Sequence, residues 1–287
     1  MVDKHKAIKL RQDGYQYKDI AAELGCSLAW CKQNLKHIEV LKDSKKLITG
    51  AIYSTKFNGL LTIIKDNGWD KVSIKFIDTD NFKIVSRSNI LNGTLKDYNR
   101  PSVFGIGYIG EGVHKTTINR KKNPFYSVWT GLMRRCFDIN FKNKRKTYQN
   151  CTVDKTWHNF QNFAKWALNQ KYEEFWELDK DILIKGNKHY SPDTCCFVPM
   201  KINLMFNGKT LLNDSTEIST GIYKRGSIFY VYCCDGKTQR YLGKAASVQD
   251  AKNIYKFGKE NIIKLTAEKY KNSIDEKVYK SMIDWKI

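Results

Sequence analysis

The chain has 287 residues, with 50 Lys and Arg against 29 Asp and Glu and a formal net charge of +21. Hydrophobic residues make up 41%, among them 16 Tyr, 14 Phe and 7 Trp, so the chain has material for real cores and global disorder is excluded. A cation excess on this scale in a folded chain favours a polyanionic partner, and double-stranded DNA is the expected one; a merely soluble basic protein is the bland alternative.

The first twenty residues hold no apolar run of signal-peptide length, and a cytoplasmic protein is expected. No stretch approaches about eighteen consecutive apolar residues, and no strongly apolar amphipathic helix stands out, so no membrane partner is expected. The eight cysteines are 26, 31, 136, 151, 195, 196, 233 and 234, with no Cys-x-x-Cys pair. They read as reduced, buried thiols rather than a structural zinc site. The rival reading is a zinc site assembled across the chain from Cys136, Cys151 and Cys195.

Residues 1–42 read as helices. Ile20, Ala21 and Leu24 recur at helical spacing, Gly25 fits a left-handed helix end, and Ser27 can cap a following helix from Leu28 to Ile38. Helix, glycine turn, helix resembles the helix-turn-helix of phage and bacterial DNA-binding proteins, whose second helix enters the major groove. On that resemblance Lys32 and Lys36 suit phosphates, while Gln33 and Asn34 suit base edges. A small helical interaction domain is the alternative.

Residues 43–50 read as a linker. Residues 51–98 form a β module, a small antiparallel barrel or meander. Its expected strands are Leu61–Ile64, Val72–Ile77 and Phe82–Val85, with turns at Asn67-Gly68 and Asn92-Gly93. A spacer role is expected for it. Residues 99–118 carry Gly105, Gly107, Gly110 and Gly112 without the order of a nucleotide-binding loop, and read as a flexible turn or extended connector.

Residues 119–213 carry the chemistry. Between 119 and 150 there are nine Lys and Arg against one acidic residue, Asp138, which suits a phosphate track led by Arg120, Lys121, Lys122, Arg134 and Arg135. Helices are expected over Phe125–Phe137 and Trp157–Leu168, with His158 in a packing or capping role. The segment Leu178–Asn203 then resembles the HNH endonucleases of phages, in particular homing endonucleases and their free-standing relatives. The Trp/Arg/Cys helix, the Trp-His-Asn-Phe segment and the Tyr-Ser-Pro strand extend this likeness over residues 100–210.

That resemblance implies a ββα nuclease core holding one divalent ion, magnesium or manganese. It matches Asp179 to the family's metal carboxylate, Phe197 to its aromatic and Asn203 to its last motif residue. Two positions depart from the pattern: Lys180 stands where the general-base His belongs, and Thr194 where a metal-binding Asn belongs. A protonated lysine cannot take a proton from water, and threonine is a weak ligand for a hard cation. Asp181, Asp193 and His189 are the nearby substitutes, the carboxylates for the metal and His189 as base.

Residues 217–287 show three strands and a helix, Val248–Thr266, capped by Ser247. Tyr-Leu-Gly before an Ala-rich helix resembles the AP2 DNA-binding domain, whose sheet enters the major groove. The candidate contacts are Lys224, Arg225, Tyr230, Tyr232, Lys237, Arg240 and Lys244. The expected whole is a multidomain α+β protein: a helix-turn-helix, a β module, an HNH-like core and an AP2-like domain. Its expected activity is metal-assisted DNA cleavage in the cytoplasm of a bacterial host if phage-encoded. The alternatives are a DNA-binding regulator with a decayed core and an adaptor for a host protein.

Overall fold

The computed structural model describes residues 2–38, 47–57, 59–68, 71–206 and 217–287. Expectations for 39–46, including the first half of the linker, and for the boundary at 213 fall outside the described residues. Within them lie ten α-helices and five small sheets, an α+β architecture. Residues 1–101 with 108–111 form one compact unit, and 102–107 with 112–287 form a second. No helix among the described residues is long and apolar enough to cross a membrane.

The first unit opens with α1 (Lys4–Gln12), α2 (Tyr17–Leu24) and α3 (Leu28–Leu35). Gly25 ends α2 at φ +61°, a conformation a Cβ would strain. Ser27 Oγ then accepts from the Trp30 amide at 3.1 Å and starts α3. Cys26 and Cys31 flank this cap in the positions of a hydrophobic staple, their sulfurs 3.5 Å apart. Ala7, Ile8, Ile20, Cys31 and Leu35 close the helical core.

Strands β1 (Ile52–Ser54), β2 (Leu60–Asp66), β3 (Val72–Phe76) and β4 (Phe82–Val85) follow as one antiparallel sheet in that order. Burial alternates along β3, so Val72, Ile74 and Phe76 enter a core with Tyr53, Leu61 and Ile63. Asn92-Gly93, expected as a strand turn, closes a short helix α4 (Arg87–Leu91) instead. That helix buries only Ile90, too little for a helical repeat to show in the sequence.

The second unit begins with the hairpin β5 (Thr117–Ile118) and β6 (Lys121–Lys122), then α5 (Pro124–Phe137), α6 (Ile139–Lys144) and β7 (Thr152–Val153). The expected helix from Trp157 to Leu168 is broken: a 3₁₀ turn over Lys155–His158 precedes α7 (Phe160–Leu168). Asn159 makes the break, its side chain accepting from the Gln161 amide at 2.9 Å. Aromatic rings then chain α5 to α7 and beyond. Trp129 meets Phe160 at 5.5 Å, Trp157 meets Trp166 at 4.6 Å, and Trp166 meets Phe197 at 5.6 Å. Truncating one of the fully buried rings among them, such as Trp129 or Phe160, to alanine costs about 3–5 kcal/mol.

The glycine segment before this core is packed rather than flexible. A Cβ on Gly107 would lie 2.9 Å from both Trp129 and Met133, so the residue is there for close approach.

Strand β8 (Glu177–Asp179) pairs antiparallel with β10 (Cys196–Val198), and β9 (His189–Tyr190) pairs parallel with β7. Helix α8 (Met200–Phe206) follows. The four-stranded antiparallel sheet β11 (Glu217–Ser219), β12 (Ile222–Arg225), β13 (Ile228–Cys234), β14 (Gln239–Ala245) comes next. It packs one face on α9 (Val248–Tyr270), through Val231, Phe229, Ala245 and Ala251. Helix α10 (Glu276–Ile283) was not expected; it folds back on α9 with Val278 and Met282 buried. Several lysines tie these pieces by donating to backbone carbonyls: Lys171 to Asn272 and Ile274, Lys142 to Cys136, and Lys259 to Met205 and Cys234.

Candidate functional site

Strands β8 and β10 followed by α8 form a small ββα frame, and Asp179 ends its first strand opposite Cys196. The Asp179 side chain is buried, and Oδ1 accepts the amides of Asp181 and Ile182, both at 2.7 Å. Burial pushes this carboxyl above the usual aspartate range, against the pull of those two amides. Among the described residues Oδ2 accepts no hydrogen bond.

Lys180, 6% exposed, turns its ammonium inward. It donates to both Asp181 oxygens at 2.7 and 2.6 Å and to the Asn187 carbonyl at 2.6 Å. Asn187 closes the loop from the other side. Its amide donates to the Lys180 and His189 carbonyls, and its Oδ1 accepts the His189 amide at 2.8 Å. The Thr194 hydroxyl donates to the His189 carbonyl at 2.8 Å and accepts the Ser191 amide. His189 Nδ1 lies 2.9 Å from Thr152 Oγ1, across the β7–β9 pairing. Asp179, Lys180, Asp181, His189 and Thr194 thus come together in one self-closed loop. Asp193 points to solvent, and Asn203 donates instead to Glu177, a residue the sequence motif passes over.

In this arrangement the donors do not fit a divalent ion. Asp181 is neutralised by Lys180, Thr194 serves the loop, and among the described residues no three His, Cys, Asp or Glu side chains converge. The zinc alternative through Cys136, Cys151 and Cys195 has the same difficulty; all eight cysteines are free thiols, and burial pushes Cys136 and Cys195 up to about 12.

Comparison with family models, curated proteins and solved structures finds no match.

On α3, Lys32, Gln33 and Lys36 are exposed, whereas the Asn34 amide donates to its own helix at the Trp30 carbonyl, 2.9 Å away. Arg120, Lys121 and Lys122 are exposed on the β5–β6 hairpin, with Asn119 and Arg120 at positive φ in its tight turn. Arg134 is exposed, 3.4 Å from Asp138. Arg135 departs from the expected phosphate track: it is only partly exposed and lies 5.7 Å over the Tyr148 ring, with the buried Tyr190 phenol among its neighbours.

The C-terminal sheet sorts its candidates by face. Register pairs Tyr230 with Lys244, Tyr232 with Tyr241, and Arg225 with Ile228. These residues turn away from α9. Arg225, Tyr241 and Lys244 are exposed, and the Tyr232 and Tyr241 rings are 5.3 Å apart. Lys224 pairs with Phe229 and Arg240 with Cys233, so both take the parity of the α9 side. Arg240 is held by Asp235 at 2.8 Å. Lys237 is exposed in the turn between the strands. A bulge at Val231/Tyr232 makes this sorting possible, since Tyr241 and Lys244 would otherwise face opposite ways.

Proposed function

We propose that this chain is a DNA-binding protein in which the HNH-like ββα segment acts as a scaffold between DNA-reading surfaces. The outer face of the C-terminal sheet carries the reading. Over β12–β14 it presents Tyr230, Tyr232 and Tyr241 beside Arg225 and Lys244 and no acidic side chain. Cations there neutralise phosphates, and tyrosines offer flat, polar-tipped contacts to a groove. The exposed cations of α3 and of the β5–β6 hairpin support additional phosphate contacts in the same sense. The buried pairing of Lys180 with Asp181 supports the scaffold role, because an ammonium fixed between acceptors cannot serve as a base.

One observation favours the rival, metal-assisted phosphodiester hydrolysis. The Asp179 carboxylate ends β8, where the resemblance puts a metal ligand, and keeps one oxygen without a hydrogen bond among the described residues. A single experiment separates the two. Supercoiled plasmid is incubated with the protein in magnesium, manganese or EDTA, beside a gel-shift titration. The scaffold reading expects DNA binding and no metal-dependent nicking. Nicking by the wild type that Asp179→Asn abolishes, with binding kept within a few fold, would establish hydrolysis instead.

A further inference from the structure

A groove of about 620 Å³ lies on the second unit away from the outer sheet face, between the end of α8, the β11–β12 turn, α9 and Trp285. Its volume falls in the range of small-molecule sites. Lys252, Lys256 and Lys259 line it at i, i+4 and i+7 of one helix face, and Lys185 joins them from the loop after β8. Among the described residues no Asp or Glu side chain is in its wall. Like charges at this spacing repel, and among the described residues no acidic side chain of the wall offsets them.

Lys259 sharpens the point. It is 5% exposed, and its ammonium is held by two backbone carbonyls, Met205 at 2.7 Å and Cys234 at 2.9 Å, with no carboxylate partner among the described residues. A buried cation without a counter-charge is an incomplete arrangement that an anion completes. The rest of the wall is aromatic and hydrogen-bonding. Phe206 meets Trp285 edge to face at 4.6 Å, and Ser219, Thr220, Gln249 and Asn253 supply hydroxyls and amides.

We propose that this groove binds a free nucleoside monophosphate, its phosphate among the α9 lysines and its base against Trp285. A bare inorganic anion would leave the aromatic wall unused, and a purely apolar ligand would leave the exposed Lys252 and Lys256 ammonium groups unmatched. The site is separate from the sheet face and does not depend on the DNA-binding reading.

Isothermal titration of the full chain with AMP, GMP, CMP, inorganic phosphate and a single-stranded oligonucleotide tests it. Saturable, one-site binding of at least one mononucleotide is expected. Lys252→Gln combined with Lys256→Gln, both exposed on α9, should weaken it at least tenfold with an unchanged thermal melt. Trp285→Leu should weaken the mononucleotide and leave inorganic phosphate within twofold. Tyr232→Ala with Lys244→Ala, on the sheet's outer face, should leave mononucleotide binding unaltered. The proposal is overturned by no saturable mononucleotide binding, by equal affinity for inorganic phosphate, by binding of the oligonucleotide alone, or by indifference to the double lysine variant.

Discussion

The loop after β8 and the outer face of β12–β14 are both rich in charge, and they use it in opposite ways. In the loop, Lys180, Asp181 and Asn187 satisfy one another, and Asp179 is buried against backbone amides. On the sheet, Lys244 stands in solvent beside tyrosines. A motif reading treats both as sites because it sees residue types and spacing. Hydrogen-bond satisfaction separates them: polar groups that have found partners inside the chain hold a shape, and those left outside await a ligand.

The largest expected effect concerns the exposed charge. If six or more phosphates are neutralised, affinity for duplex DNA should fall by about 10³ or more between 50 and 200 mM salt. A flat response in a gel-shift titration would erase the contrast, since the outward cations would then have no phosphate partners. The inward charge is tested by Lys180→Met, which strands Asp181 and the Asn187 carbonyl. It should cost about 2–4 kcal/mol in a urea melt, the upper figure discounted because Asp181 is partly in solvent. A change under about 0.5 kcal/mol, the scale of an ordinary surface substitution, would mean the loop does not need its ion pair.

Asp235 brings the same logic to the end of the sheet. Burial works against its ionised form, yet the amides of Thr238 and Lys237 and the Arg240 guanidinium hold the carboxyl down to about 2. An unfolded aspartate titrates near about 3.9, so the stabilisation is present above that pH and is lost as pH falls through about 2. Asp235→Asn should cost about 1–2 kcal/mol at pH 7, discounted because Arg240 is exposed, and the gap from wild type should close between about pH 4 and pH 2. A deficit that does not change with pH would assign the loss to hydrogen-bond geometry alone. The smallest effect divides the sheet's own cations. Lys244→Ala should weaken DNA binding by about 1 kcal/mol, while Lys224→Ala, on the α9 side, should stay within twofold. Equal losses would show that face parity does not choose the contacts.

Local chemistry made part of this fold legible. Gly25 and Ser27 announce the α2–α3 turn because a left-handed residue and a capping hydroxyl act within a few residues. Alternation announces β3 for the same reason, with Ser73 and Lys75 between Val72, Ile74 and Phe76. Helix α4 and strand β1 were too short to carry a period. The placement of Arg135 over the Tyr148 ring is a tertiary contact, and no spacing rule contains it. The bulge at Val231/Tyr232 changes which face Lys244 takes, and one residue of register is below what hydropathy resolves. At the candidate site the residues of the motif were readable, but their mutual hydrogen bonds were not. Those bonds distinguish a reactive cluster from a closed loop.

Lysines that clasp carbonyls have a consequence for chemical labelling. Lys171, Lys180 and Lys259 hold backbone oxygens, and Lys180 and Lys259 are buried as they do so. An acylating reagent should therefore divide the lysines into a fast population and a slow one that reacts only as the chain opens. The formal charge of +21 counts both. The counter-ion atmosphere that polyanions displace belongs chiefly to the fast population, so ion release should be smaller than composition suggests.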